Sequence, residues 1–101
     1  KRQDFNKIKR IINVLLENPD GIWLRKLSRE TKLPLSTVHY YIEGILGNIV
    51  ESIGARDEEG KFFGIRLLKL KNGVFNKLSN DRSEKTLRKL LKTTEILSNS
   101  E

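Results

Sequence analysis

The spacing of the hydrophobic residues changes along the chain, and this change restricts the fold more than any other feature. Up to about residue 46, apolar residues recur every three or four positions, which predicts helices. From Ile49 to Ile53 and from Lys61 to Leu70 the residues are β-branched, aromatic and aliphatic, which is typical of strands. The polar segment 54–60 predicts a β-hairpin with its tip at 56–61. Helical spacing returns near Val74.

Two helices are predicted in the first third of the chain. The first is amphipathic over Phe5 to Leu16 and ends at the turn Asn18 to Gly21, because the residue before proline avoids the α region. Ile22 and Trp23 fit a very short strand. A second, short helix follows from Leu24 to about Glu30, with one buried edge and a basic exposed side.

A third helix is predicted over Thr37 to Leu46. The side-chain oxygen of Ser36 is expected to cap its start, and Gly47 and Asn48 to end it. Gly44 inside this helix costs about 1 kcal/mol against alanine, which indicates close approach of DNA or of another part of the chain.

The sequence after the hairpin predicts a short helical segment and a longer last helix. Val74, Phe75 and Leu78 fit one or two helical turns, 79–81 breaks them, and Ser83 can cap the last helix. The leucine face of that helix is expected to bury against helix one of the same chain or against a second copy of the chain. We favour a homodimer, paired through this set of leucines: Leu87, Leu90, Leu91 and Leu97.

Two short helices joined by a tight turn and followed at once by a hairpin resemble a winged helix-turn-helix domain. The resemblance is carried by residues 24–31 and 33–38, and then by Ile42, Ile45 and Leu46. This stretch of sequence is similar to the helix-turn-helix of small winged-helix transcription regulators. The nearest are the MarR-like and PadR-like groups and regulators of archaeal or archaeal plasmid or virus type. In this family glycine usually stands where this chain has Lys32, for which another turn geometry is expected.

The resemblance implies an α+β, mainly helical winged helix-turn-helix with a three-helix core, a β-hairpin wing and a C-terminal helix. Residues 1–71 would form the DNA-binding domain and residues 72–101 a C-terminal helical extension, expected to serve dimerisation. The third helix would enter the major groove, although it carries no Arg or Lys.

The resemblance also implies three groups of contacts with DNA. The base-reading candidates on the third helix are Ser36, Thr37, His39 and Tyr40. The phosphate-binding candidates on and after the second helix are Arg25, Lys26, Arg29 and Lys32. The candidates on the wing are Arg56, Lys61 and Arg66. The acidic tip Asp57 to Glu59 would repel DNA and is equally well interpreted as a solvated loop, and Glu43 is interpreted as ordinary helix surface.

The charge balance agrees with a polyanionic partner. The chain has 20 Lys and Arg against 13 Asp and Glu, a net charge of +7, which favours double-stranded DNA. A basic protein whose charge only prevents self-association has the same balance.

With no Cys and with His39 as the single histidine, we expect no metal, cofactor or catalytic site, no enzyme activity and no small-molecule ligand. No run approaches the roughly 18 apolar residues of a membrane span, so a cytoplasmic, nucleoid-associated protein is expected.

Two functions remain open from the sequence. The first is a sequence-specific DNA-binding regulator, in the simplest case a repressor that occupies a promoter as a homodimer. The second is a winged helix that contacts proteins in a transcription, replication or partition complex. An exposed apolar patch around Tyr40 and Trp23 would favour protein contact, whereas a basic rim of Arg25, Arg29 and Lys32 would favour DNA.

Overall fold

A computed structural model describes residues 4–99, with side chains up to residue 91 except that of residue 63. The described residues form five helices and one three-stranded antiparallel sheet, which is an α+β fold. In chain order the elements are α1 Phe5–Glu17, β1 Ile22–Trp23, α2 Leu24–Thr31, α3 Leu35–Glu43, β2 Val50–Arg56, β3 Phe62–Leu70, α4 Asn72–Asn80 and α5 Glu84–Asn99. Among these helices, none is long and apolar enough to cross a membrane.

Helix α1 supplies the largest share of the core, as its amphipathic pattern predicts. Six of its residues are buried: Ile8, Ile11, Ile12, Val14, Leu15 and Leu16. The Asp4 carboxylate accepts the Asn6 N–H at 3.0 Å and so caps the helix, while the Asp4 N–H donates to the Tyr41 hydroxyl at 2.9 Å. The start of α1 is therefore attached directly to α3.

The sheet has the strand order β1-β3-β2, so the hairpin is extended by the two-residue strand β1. Leu68 of β3, which is fully buried, lies opposite Ile22 on one side and Ser52 on the other. The register is irregular between Gly54 and Arg56. A Cβ at Gly54 would lie 2.9 Å from the Ile65 carbonyl oxygen, so only glycine fits this close approach of the two strands.

The turn between α2 and α3 differs from the expectation for Lys32. Lys32 has φ 60° and ψ 33°, the left-handed conformation that glycine adopts most easily, so the expected alternative geometry is wrong. The reason is the pair of bonds that ends α2: the Lys32 N–H donates to the Arg29 carbonyl, and the Leu33 N–H donates to the Ser28 carbonyl. This Schellman motif requires a left-handed residue and turns Leu33 into the core.

Helix α3 begins and ends earlier than the sequence predicts. Pro34 precedes its first residue and its carbonyl accepts the Thr37 and Val38 N–H groups, so Ser36 lies in the first turn and is not the cap. The helix ends at Glu43, and Gly44 follows it instead of lying inside it. A Cβ on Gly44 would lie 3.0 Å from the Tyr40 carbonyl oxygen. Turns then carry the chain from residue 44 to residue 49.

The break between the two C-terminal helices lies at 81–83, two residues later than the predicted 79–81, because α4 continues to Asn80. Ser83 accepts the Thr86 N–H at 3.3 Å, and the Thr86 hydroxyl and the Ser83 N–H both donate to Asp81. These bonds hold the pKa of the Asp81 carboxyl below its ordinary value. The guanidinium of Arg88 lies 4.0 Å from the ring centre of Phe5, so α5 contacts the start of α1.

The leucine face of α5 packs within the chain. Leu87 and Leu91 are buried in the same core as α1, and Leu90 is partly buried against it. For Leu87 and Leu91 the structure therefore supports the alternative of packing within one chain, and it corrects their assignment to a contact between two chains. The Leu97 side chain lies outside the described residues.

The left-handed Lys32 yields a prediction about stability. Lys32→Gly and Lys32→Ala remove the same charge. The free energy of unfolding should be higher by about 0.5–1 kcal/mol in the glycine variant, because a residue with a Cβ is strained at positive φ. Urea denaturation of both variants measures the difference. Equal free energies of unfolding would mean that residue 32 is not left-handed in solution.

Candidate nucleic-acid interface

The outward face of α3 is exposed along its whole length. Val38, Tyr41 and Ile42 are buried against the core, which leaves the opposite side of the helix to solvent. That side carries three exposed residues from the predicted set and one that is partly buried: Ser36, His39 and Tyr40, and Thr37. The Tyr40 ring stands edge-to-face against the Tyr41 ring, with centres 5.3 Å apart, so its orientation is held by the core.

The four cations on and after α2 are all exposed, as expected for a phosphate-binding set: Arg25, Lys26, Arg29 and Lys32. Three of them lie on one short helix, and Lys32 is held beyond its end by the Schellman motif. Arg10 of α1 donates to the Thr31 carbonyl and thereby fixes the end of this helix to the scaffold. The three cations of α2 line a groove together with Leu35, the first residue of α3.

The prediction that Arg66 contacts DNA is wrong, because the structure buries this side chain. Only 8% of Arg66 is exposed. Its Nη2 lies 2.5 Å from Glu43 Oε2 and donates to Ser52 Oγ at 3.1 Å, and its guanidinium lies 4.3 Å from the ring centre of Phe62. Arg66 thus joins β3 to the last residue of α3 and is not available at the surface.

Glu43 has a role that the sequence analysis missed. It is half exposed, but its carboxylate is neutralised by Arg66, and His39 Nε2 lies 3.9 Å from the same oxygen. A bare carboxylate on this face would repel phosphates, so the ion pair removes an obstacle to binding a polyanion. The available signal was the alternation in β3, since Arg66 has the same parity as the buried Leu68 and Leu70 and an inward arginine requires an anionic partner.

A groove of about 730 Å³ separates the end of α3 from the hairpin. His39 and Glu43 line one side, and Arg56 and Lys61 line the other. Arg56 and Lys61 are exposed, and the Arg56 guanidinium lies 4.1 Å from the ring centre of Phe62. The two exposed wing candidates therefore face the predicted base-reading helix across one groove.

The acidic tip of the hairpin is folded by its own carboxylate. Asp57 Oδ1 accepts the Glu59 and Lys61 N–H groups, each at 2.9 Å. Gly60 has φ 84°, which completes the tight turn. Asp57 therefore shapes the tip, and the neighbouring Glu58 and Glu59 are exposed.

A second groove, of about 410 Å³, lies between α2, the start of α3 and the middle of β3. It combines exposed apolar side chains, including Trp23, with basic ones. Tyr40 does not line it, so the patch differs from the one expected around Tyr40 and Trp23. The basic rim expected for DNA contact is thus present, and an exposed apolar patch is present at Trp23 but does not include Tyr40.

Among the residues with described side chains, no group of three or more His, Asp and Glu is arranged to hold a metal ion. The chain matches no protein-family model, no curated protein and no solved structure.

The pairing of Glu43 with a buried arginine yields a prediction. Glu43→Ala should lower the free energy of unfolding by about 1–3 kcal/mol, because the Arg66 guanidinium would keep its buried position without a carboxylate. The control is Glu51→Ala, which removes an exposed carboxylate from β2 and should change stability by less than about 0.5 kcal/mol. Urea denaturation measures both. A similar small effect of the two changes would show that the ion pair does not stabilise the fold.

Proposed function

We propose that the fold is a winged helix-turn-helix and that the protein binds double-stranded DNA sequence-specifically to regulate transcription by occupying a promoter. The element order from α1 to β3 and the strand order β1-β3-β2 support the fold assignment. In this proposal α3 is the recognition helix and the β2–β3 hairpin is the wing. Residues 72–101 form the C-terminal extension.

One observation carries the proposal: the exposed face of α3 lies between two groups of exposed cations. Arg25, Lys26 and Arg29 of α2 line one groove together with the first residue of α3, and Arg56 and Lys61 line the other groove together with the end of α3. The major groove of DNA, about 12 Å wide, admits a helix and brings a phosphate backbone to each side of it. Helix α3 would therefore enter the groove while both cation groups bind phosphates.

The two kinds of contact would have different tasks. Helix α3 carries no Lys or Arg, so its hydroxyl groups, its imidazole and the Tyr40 ring are suited to hydrogen bonds with base edges and to contact with thymine methyl groups. Affinity would come from the flanking cations through counterion release. In this proposal Arg56, which ends β2 beside the hairpin tip, would in addition read a narrow, A·T-rich minor groove.

The homodimer remains a prediction within this proposal. Two chains would place two recognition helices about one turn of DNA apart on a two-fold site. Leu87 and Leu91 pack inside the chain, so a dimer face on α5 would need other residues, beginning with Leu90. Sedimentation equilibrium determines whether two chains associate.

The proposed phosphate contacts are tested by salt dependence. Arg25→Ala and Arg29→Ala should each weaken binding to all duplexes alike and reduce the slope of log K against log salt by about 0.9, because each removes one phosphate contact. The control is Lys85→Ala on α5, an equally exposed cation outside this surface. Fluorescence anisotropy on genomic duplexes at graded salt measures the slopes. If the variants of α2 keep the slope of Lys85→Ala, α2 does not bind the backbone.

The proposed base-reading role of Tyr40 is tested by specificity. Tyr40→Ala should reduce the preference for a footprinted site over unrelated DNA by about tenfold or more, while non-specific affinity changes little, because the base contact is lost and the phosphate contacts remain. Footprinting on fragments from the neighbourhood of the gene identifies the site, and competition against unrelated duplex measures the preference. An equal loss on both duplexes would place Tyr40 at the backbone.

A further inference from the structure

The Trp23 groove is the second groove described above, and its lining includes three exposed apolar residues, Trp23, Leu35 and Ile65, and three exposed cations, Arg25, Lys26 and Arg29. It lies where β1 passes into α2, beside the start of α3 and the middle of β3. Trp23 is 48% exposed, Leu35 37% and Ile65 68%. These are three of the five large hydrophobic side chains that are exposed in the described part of the chain.

The apolar residues and the cations form one amphipathic surface. Exposed apolar side chains gathered in one concavity are typical of binding sites, and Trp and Arg are the residues that most often dominate binding energy at protein interfaces. The residues that line the groove include no carboxylate. The occupant that complements this surface is therefore both apolar and anionic.

DNA alone would leave part of this surface unmatched. Phosphate groups bind arginine and lysine, but the sugar-phosphate backbone presents little apolar surface to the three exposed hydrophobic side chains. A peptide that carries acidic residues beside large apolar ones matches both halves of the groove. Charge complementarity and apolar area thus favour a peptide over a second DNA contact.

The edge of the sheet at the groove indicates the form of that peptide. β1 pairs only with Leu67 and Leu68, so the preceding residues of β3 have no strand beside them on that side in the described structure. A Cβ added to Gly64, which lines the groove, would meet nothing within 4 Å, so the space beside β3 is open at this point. An extended segment can therefore lie beside β3, next to β1.

We propose that the Trp23 groove binds an extended acidic segment of a partner protein, anchored by a large apolar side chain against Trp23, Leu35 and Ile65. The carboxylates of the segment pair with Arg25, Lys26 and Arg29. Binding of the segment does not depend on the proposed function. One consequence does depend on it: the same three cations are the proposed phosphate contacts, so the segment and DNA exclude each other.

Trp23 is the only tryptophan of the chain, so its fluorescence reports on this groove directly. The probe is a synthetic peptide that alternates Glu with Phe and Leu, added to the full chain without DNA. Saturable binding should shift the Trp23 emission to the blue, because the indole leaves water. A peptide with Lys in place of every Glu should give no shift.

Three variants link the signal to the groove. Ile65→Ser and Arg29→Ala should each lower the affinity for the acidic peptide by about tenfold. The first removes an apolar contact and the second removes an ion pair. The matched control is Ile53→Ser, which changes another exposed isoleucine of the same hairpin and should leave the affinity unchanged. The exposure of all three residues lets the variants fold, and circular dichroism checks this.

Three results would overturn the proposal. The first is no shift with the acidic peptide, and the second is an equal loss of affinity in Ile53→Ser. The third is an emission shift that grows with protein concentration alone and disappears in Ile65→Ser, which would make the occupant a second copy of the chain.

A competition arm separates this proposal from the proposed function. The acidic peptide should displace a bound duplex, and Ile65→Ser should reduce displacement more than it reduces duplex binding. Peptide binding without any duplex binding would support the groove and contradict the DNA proposal. Duplex binding without peptide binding would overturn the groove and leave the DNA proposal standing.

Discussion

The candidate interface depends on one buried cation. Arg66 lies inside the hairpin, where it pairs with Glu43 at the end of α3, donates to Ser52 and contacts the Phe62 ring. A buried guanidinium keeps its place only with an anionic partner, because removing it from water is costly. The pair therefore sets the position of the hairpin relative to α3. It also converts a carboxylate that would repel phosphates into part of the scaffold, so that the groove between α3 and the hairpin has cations on its exposed edge.

Other contacts with the core and with neighbouring elements fix the orientation of the rest of α3. Val38, Tyr41 and Ile42 bind the helix to the core, and the Tyr41 hydroxyl accepts the Asp4 N–H at the start of α1. On the other side, the Schellman motif at Lys32 turns the chain sharply between α2 and α3. These attachments hold α3 to the core and leave the face with Ser36 and Tyr40 exposed. The proposed contact with base edges at hydrogen-bond distances requires a helix that is held in this way.

The two grooves divide the basic surface by chemistry. The groove between α3 and the hairpin is bordered by Arg56 and Lys61 and is suited to a phosphate backbone. The Trp23 groove adds exposed apolar side chains to Arg25, Lys26 and Arg29 and is suited to an acidic, apolar segment. Since the cations of α2 border the second groove and also lie near the start of α3, one surface would serve both proposed partners in turn. Competition of this kind would couple DNA occupancy to the presence of a protein, without any change of fold.

The sequence by itself determined the elements: the helical period of α1 and α2, the hairpin, the break before α5 and the exposed cations of α2 follow from local pattern and charge. Only the tertiary structure decided where α3 begins and ends, that Lys32 is left-handed, that Leu87 and Leu91 pack within the chain, and that Arg66 is internal. The physical reason is that periodicity and turn chemistry act between neighbours in sequence. Burial, ion pairing and the end of a helix are decided by contacts between residues far apart in the chain, such as Glu43 and Arg66.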